Sequence, residues 1–218
     1  SALDVKVTII EPNSVLMPFL DRELADEFLH DLRERGVIVR FGAKVVSADV
    51  VGPQHCHLKL TDDRELHADM VLFSAGREGA TEGLGLDACG LATDERGRLS
   101  VDKHSFQTAV PHIYAAGDIV GFPSLASTSM EQGRIAACHA FNEPAQAAPE
   151  FFPYGIYSVP EISTIGMNEE QARERGIPYE CGVARFRETS RGHIMGIQHG
   201  FLKMLFALET RRLLGVHI

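Results

Sequence analysis

The sequence predicts an α/β chain that passes, near residue 149, into a mixed α+β unit. Three features point there. The first 77 residues run strand, helix, strand and then a β-meander. A short apolar strand from Ile113 to Asp118 is followed by a helix rich in small residues. Beyond it, four strand-like runs at 157–166, 179–186, 201–208 and 213–218 form a largely antiparallel unit.

Each element has its own reason. Val5-Lys6-Val7-Thr8-Ile9-Ile10-Glu11 is a β-branched run ending in an acid, as a buried parallel strand does, and Pro12-Asn13-Ser14 breaks it. Residues 21–35 are helical: Leu24, Phe28 and Leu32 share one face, Asp21 caps the start and Gly36 stops the helix. Val37-Ile38-Val39 restarts a strand. Runs at 44–51 and 57–60, a turn at Asp62-Asp63 and a run at 65–67 make the meander. Met70-Val71-Leu72-Phe73 is expected as a further buried strand, closed by Ser74-Ala75-Gly76-Arg77. This order is that of the second half of a dinucleotide-binding domain. From 78 to 110 the chain is rich in Gly, Asp and Thr, with strand pieces such as Leu99-Ser100-Val101. A helix is expected from about Leu125 to Phe141, a linker at 144–149, and a short helix over 169–175 capped by Asn168.

Composition narrows the function classes. Thirty acids against 21 bases give a formal charge of −9, which argues against a nucleic-acid or anionic-membrane binder. No apolar run reaches the roughly 20 residues of a membrane span. Cys56, Cys89, Cys138 and Cys181 stand far apart without a CxxC, so a disulfide scaffold is not expected, and a reducing cytoplasm fits best. The opening residues carry no signal-peptide pattern. Both ends read as cut. No GxGxxG precedes Glu11, and the last residues, Leu213-Leu214-Gly215-Val216-His217-Ile218, lie inside an apolar strand. A fragment of a longer protein is therefore expected.

The run Thr108-Ala109-Val110-Pro111-His112-Ile113-Tyr114-Ala115-Ala116-Gly117-Asp118 is similar to the second FAD fingerprint of the two-dinucleotide-fold flavoprotein reductases. Gly121-Phe122-Pro123-Ser124-Leu125-Ala126-Ser127-Thr128-Ser129-Met130-Glu131-Gln132-Gly133-Arg134 resembles the flavin-facing helix of the soluble pyridine nucleotide transhydrogenases. Gly155-Ile156-Tyr157-Ser158-Val159-Pro160-Glu161-Ile162-Ser163, Pro178-Tyr179-Glu180-Cys181-Gly182-Val183-Ala184-Arg185-Phe186 and Leu213-Leu214-Gly215-Val216-His217 resemble that family's dimerisation domain. The resemblance implies an α/β fold: part of a two-dinucleotide-binding-domain flavoprotein, then part of an α+β dimerisation domain. Residues 1–77 would belong to the NAD(P)-binding domain, 78–148 to the FAD-binding domain and 149–218 to the dimerisation domain. It also implies FAD, NAD and NADP as cofactors, hydride transfer between NAD(H) and NADP(H) of the Si-specific type, and a homo-oligomer. A dihydrolipoamide dehydrogenase-like disulfide reductase is the alternative enzyme, and an inert dimerisation fragment the alternative without activity. The fragment is expected to be inactive alone.

Six residues are expected at cofactors. Asp118 accepts from a ribitol or ribose hydroxyl, with Gly117 letting the backbone come close. Leu125 and Ala126 offer backbone N–H groups at the following helix start. Glu11 accepts from the adenosine ribose hydroxyls and repels a 2′-phosphate, so NAD is favoured over NADP, with Arg40 or Lys44 the cations that could reverse this. The resemblance also implies that Gly76 would lie against the nucleotide and that Val45 would flank its adenine. No catalytic acid or base is assigned; in reductase relatives a His–Glu pair lies beyond the position of Ile218. No metal site is expected: His55 and His57 share a strand face without matching carboxylates or thiols. Cys138 is expected to be a small core residue of its helix, and Ser127, Thr128 and Ser129 have no triad partners.

Overall fold

The computed structural model describes residues 1–145 and 149–218. They form two compact units, one of Ser1–Phe73 with Gly155–Ile218 and one of Ser74–Tyr154. The first unit opens with β1 (Thr8–Glu11), α1 (Arg22–Glu34) and β2 (Ile38–Phe41). β1 and β2 pair in parallel, with Glu11 opposite Phe41. The Asp21 carboxylate accepts from Glu23 N at 3.2 Å, satisfying an orphan donor of the first turn. Gly36, at φ 78°, turns the chain out of the helix. β3 (Val45–Gly52), β4 (His55–Leu60) and β5 (Glu65–Ala68) form an antiparallel three-stranded sheet. Across it Glu65 Oε2 lies 3.2 Å from His57 Nε2, so His57 does face a carboxylate.

The strand expected at 70–73 does not form. No ladder among the described residues includes it, and Met70, Leu72 and Phe73 are exposed. An apolar run becomes a strand only where a neighbour accepts its backbone hydrogen bonds, and β1–β2 is a two-stranded sheet here.

The second unit is held by turns more than by strands. A 3₁₀ turn spans Leu86–Cys89. Isolated bridges join Thr93 to Leu99 and Gln107 to Tyr114. The expected strand at 113–118 is therefore one bridge followed by a 3₁₀ turn, Asp118–Val120, because hydrogen bonds such as Ala115 N to Phe106 O (3.0 Å) run between turns. Gly79 and Gly97 meet backbone to backbone; a Cβ on Gly79 would lie 2.1 Å from Gly97 O. α2 (Ala126–Ala140) buries Ile135 and Ala136 against Phe106, while Cys138 is only partly buried. The middle of the expected linker, 146–148, lies outside the described residues.

The chain then enters a five-stranded sheet of β6 (Tyr154–Ile156), β7 (Ile162–Gly166), β8 (Tyr179–Arg185), β9 (Phe201–Ala207) and β10 (Leu213–His217), in the order β6-β7-β10-β9-β8. Of the strand expected at 157–166 only the second half forms, as β7; residues 157–161, which include Pro160 with no N–H to donate, lie in the gap after β6. α3 (Glu169–Glu174) starts on a capping box in which Asn168 and Gln171 satisfy each other's backbone N–H. α4 (Ser190–Met195), which the sequence reading did not contain, is capped by Thr189 accepting from Gly192 N at 3.0 Å. Leu20, Leu24 and Ala25 of the α1 region bury against Ile162 and Phe201.

A buried charge cluster completes this contact. Lys203 and Asp21 are each 1% exposed. The Lys203 ammonium donates to Asp21 Oδ1 at 2.9 Å and Glu169 Oε1 at 2.5 Å, and Glu23 Oε2 lies 3.2 Å away. Burial opposes the charge on Lys203, but the bonds to Glu169 and Asp21 outweigh it and hold its pKa above the ordinary lysine value. The Lys203 bond in turn holds Glu169 below the usual carboxylate range.

Candidate functional site

The turn that carries Asp118 is built from side chain–backbone hydrogen bonds. The buried Thr108 hydroxyl donates to Ile113 O at 2.9 Å and accepts from Val110 N at 3.1 Å, closing the loop around Pro111 and His112. Tyr114 follows at its bridge to Gln107. Gly117 adopts φ 86° and ψ −154°, a backbone open to glycine and strained for other residues. Its N–H donates to Gln132 Oε1 at 2.7 Å, and Gln132, on α2, is 3% exposed. A Cβ on Gly117 would come within 3.2 Å of Ser129 Oγ on the same helix. Helix α2 thus fixes the turn that presents the next residue, Asp118.

The Asp118 carboxylate is 45% exposed and forms an ion pair with the Arg77 guanidinium. Gly76, just before Arg77, adopts φ 104°, and the nearest atom to a Cβ there would be Arg96 Nη1 at an ordinary 3.7 Å. Backbone conformation, more than crowding by protein atoms, is what requires glycine at 76. The chain runs from Asp118 through Gly121 to the start of α2. There Leu125 is the N-cap residue, without a side-chain cap, and the first turn holds no acid. Ala126 and Ser127 are exposed while Thr128 is buried, so one side of the helix start lies at the surface, with no side-chain cap on its first-turn N–H groups.

The other two expected site residues lie in the first unit. Glu11 ends β1, and its Oε1 accepts from Asn13 N at 2.8 Å and Asn13 Nδ2 at 2.7 Å. Arg40 is in register with Ile10, so alternation along the strands directs it to the face opposite Glu11. Val45 begins β3, in a separate sheet, and is 44% exposed rather than core.

The structure therefore gathers Gly76 and Asp118 through Arg77, and Leu125 and Ala126 through α2. It adds two residues that the sequence did not single out. Arg77 was legible only as the end of a turn. Gln132 is a polar residue on a buried helix face, and the sequence alone does not say which backbone group it serves. Among the described residues, the groups with metal-ligating spacing are His30, Glu34 and His199, and Asp21, Glu23 and Glu169; His55 and His57 belong to neither.

Residues 1–133 match the model of the pyridine nucleotide-disulphide oxidoreductase family, and residues 152–218 match the dimerisation domain of the same family. A soluble pyridine nucleotide transhydrogenase of Mycobacterium bovis is 47% identical over 218 residues, covering 100% of this chain and 46% of the relative. One of Marinobacter nauticus is 43% identical with the same coverage. The chain thus spans about half the length of these relatives. Among solved structures, the HOCl-induced flavoprotein disulfide reductase RclA of Escherichia coli superimposes with a TM-score of 0.86 at 30% identity, over 98% of this chain and 49% of that one. LpdA of Mycobacterium tuberculosis gives 0.89 at 27% identity, over 99% and 47%.

Proposed function

The chain belongs to the pyridine nucleotide-disulphide oxidoreductase family, and we propose that the protein carrying it is an FAD-dependent transhydrogenase moving hydride between NAD(H) and NADP(H). The observation that carries the flavin assignment is Asp118, presented on the Gly117 turn beside Arg77 and followed by the uncapped start of α2. These groups suit a dinucleotide: a carboxylate for a sugar diol, a guanidinium for a diphosphate, and helix N–H groups for an electron-rich ring edge. Bound FAD would supply the two-electron carrier between the nucleotides. The protein's part is to hold and orient. Asp118 accepts from a sugar hydroxyl, Arg77 offers N–H groups to the diphosphate, and Leu125 and Ala126 place backbone donors at the ring.

In this reading Glu11 takes the adenosine ribose of the nicotinamide nucleotide. Asn13 occupies its Oε1, which leaves Oε2 for a ribose hydroxyl. Val45 borders the adenine, and Gly76 gives the backbone conformation beside the nucleotide. Pro12, Asn13 and Ser14 supply no cation and Arg40 points to the other face, so in this reading NAD is bound in preference to NADP, with Lys44 the remaining cation that could favour NADP. We assign residues 1–77, 78–148 and 149–218 to nucleotide, flavin and dimerisation domains of a homo-oligomer. The four unpaired cysteines fit a reducing, cytoplasmic setting, and no helix among the described residues is long and apolar enough to cross a membrane.

The test is turnover by the full protein with NADPH and a thio-NAD acceptor. Exchange between nucleotides is expected, and the 218-residue chain by itself is expected to lack it. Reduction of a disulfide substrate without nucleotide exchange overturns the reading in favour of a disulfide reductase. Titrating both nucleotides against wild type and Glu11→Ser checks the preference. Repulsion of a 2′-phosphate at an effective dielectric near 20 is on the order of a few kcal/mol, so the NAD:NADP affinity ratio is expected to fall in the variant.

A further inference from the structure

We propose that His30, Glu34 and His199 form a transition-metal site, with Zn²⁺ as its occupant, that staples α1 to the segment leading into β9. The three residues come from two places far apart in sequence. His30 and Glu34 stand four residues apart on α1 and so share a helix face. His199 lies two residues before β9. The Glu34 carboxylate is divided between the two rings: Oε1 lies 3.1 Å from His30 Nε2 and Oε2 lies 2.9 Å from His199 Nε2. The rings meet edge to face with centroids 5.7 Å apart. One ligand atom from each residue lies within 4.8 Å of the others.

Two imidazoles and one carboxylate form a nitrogen-rich, borderline-soft set. It suits Zn²⁺ and its transition-metal neighbours and not Ca²⁺ or Mg²⁺, which take oxygen ligands. Around a tetrahedral Zn²⁺, with bonds of about 2.0–2.2 Å, ligand atoms stand about 3.3–3.6 Å apart. The observed spread reaches that by small side-chain rotations, and the half-exposed His30 and Glu34 are free to make them. The fourth position would be water. The backbone is already set for this closure. Gly200 N donates to Glu27 Oε1 at 3.1 Å, tying the residue after His199 to α1 one turn before His30. Arg35, the cation next to Glu34 in the chain, is held by Asp31 at 2.8 Å and does not compete for the carboxylate.

This inference is independent of the nucleotide assignments. It is tested on the FAD-loaded full protein after chelator treatment, by titrating Zn²⁺ in competition with a chromophoric chelator. Wild type is expected to take up one Zn²⁺ at this site, with a rise in Tm. His199→Gln and His30→Gln are each expected to weaken that uptake by about tenfold or more and to abolish the Tm rise, with the flavin spectrum unchanged as the check on folding. If His199→Gln does not fold, His199→Asn removes the same ligand from the second element and gives the same reading. Equal Zn²⁺ affinity in wild type and the variants overturns the proposal. So does a loss seen with His30→Gln and not with His199→Gln, since that describes a helix-surface pair and not a site across two elements.

Discussion

In β9, alternate residues Phe201, Lys203, Leu205 and Ala207 are buried, and each strand bond is repeated by its neighbours β8 and β10. Between Gly79 and Gly121 there is no such repetition. Order there comes from single devices: a glycine pair too close for a Cβ, the Thr108 hydroxyl closing one loop, and Gln132 holding one backbone N–H. The first region tolerates the loss of one bond because the ladder shares the load. The second is held by a few local hydrogen bonds at each turn with no ladder behind them, and it carries Asp118. A turn fixed by individual bonds points a side chain such as Asp118 outward without covering it, which a paired strand in mid-sheet does not do for its backbone.

The comparison has one exception, and it carries the largest expected effect. Lys203 is a single tie inside the regular sheet. Lys203→Met leaves Asp21 and Glu169 without their shared cation and is expected to destabilise the protein by about 3–5 kcal/mol, read as a fall in denaturation midpoint. A triple variant that also carries Asp21→Asn and Glu169→Gln should recover part of it; no recovery would mean that packing of the lysine stem, and not charge, holds α1 on the sheet. In the turn region, Gln132→Leu strips the acceptor from the buried Gly117 N–H. That is expected to cost about 1–3 kcal/mol and to loosen FAD binding as well. A stability loss with FAD affinity intact would separate the turn from the cofactor.

The smallest expected effect is a pH dependence in the sheet. Burial, foremost, holds the His217 pKa below its ordinary value, and the ring accepts from Thr164 Oγ1 at 2.5 Å while donating to Met167 O at 3.1 Å. The unfolded chain therefore binds a proton at higher pH than the folded one. Stability is unaffected by this group above about pH 6.5 and is lost as pH falls from there through the depressed folded value. His217→Gln should flatten that limb of a stability–pH curve.

What could be read in the sequence follows the same division. The α1 face of Leu24, Phe28 and Leu32, its Asp21 cap, its Gly36 stop and the strands around β9 came from periodicity and capping, which are local. The expected strands at 70–73 and 113–118 failed because apolar runs do not carry their own hydrogen-bond partners. α4 was missed because its six residues show no period, only a Thr cap. At the site, Asp118 and the α2 start were visible in a motif. Arg77 and Gln132 act through contacts 41 and 15 residues away in sequence, and spacing says nothing about those.

The central claim is that Asp118 is a flavin ligand presented by the Gly117 turn. The measurement is FAD affinity and retention through dialysis for the full protein and its Asp118→Ala variant. A carboxylate bonded to a sugar hydroxyl is worth roughly 1.5–3 kcal/mol, so the account predicts FAD binding weaker by about one to two decades, with the fold intact by circular dichroism. A variant that keeps a full complement of FAD at unchanged affinity would contradict it and leave Asp118 as the partner of Arg77 alone.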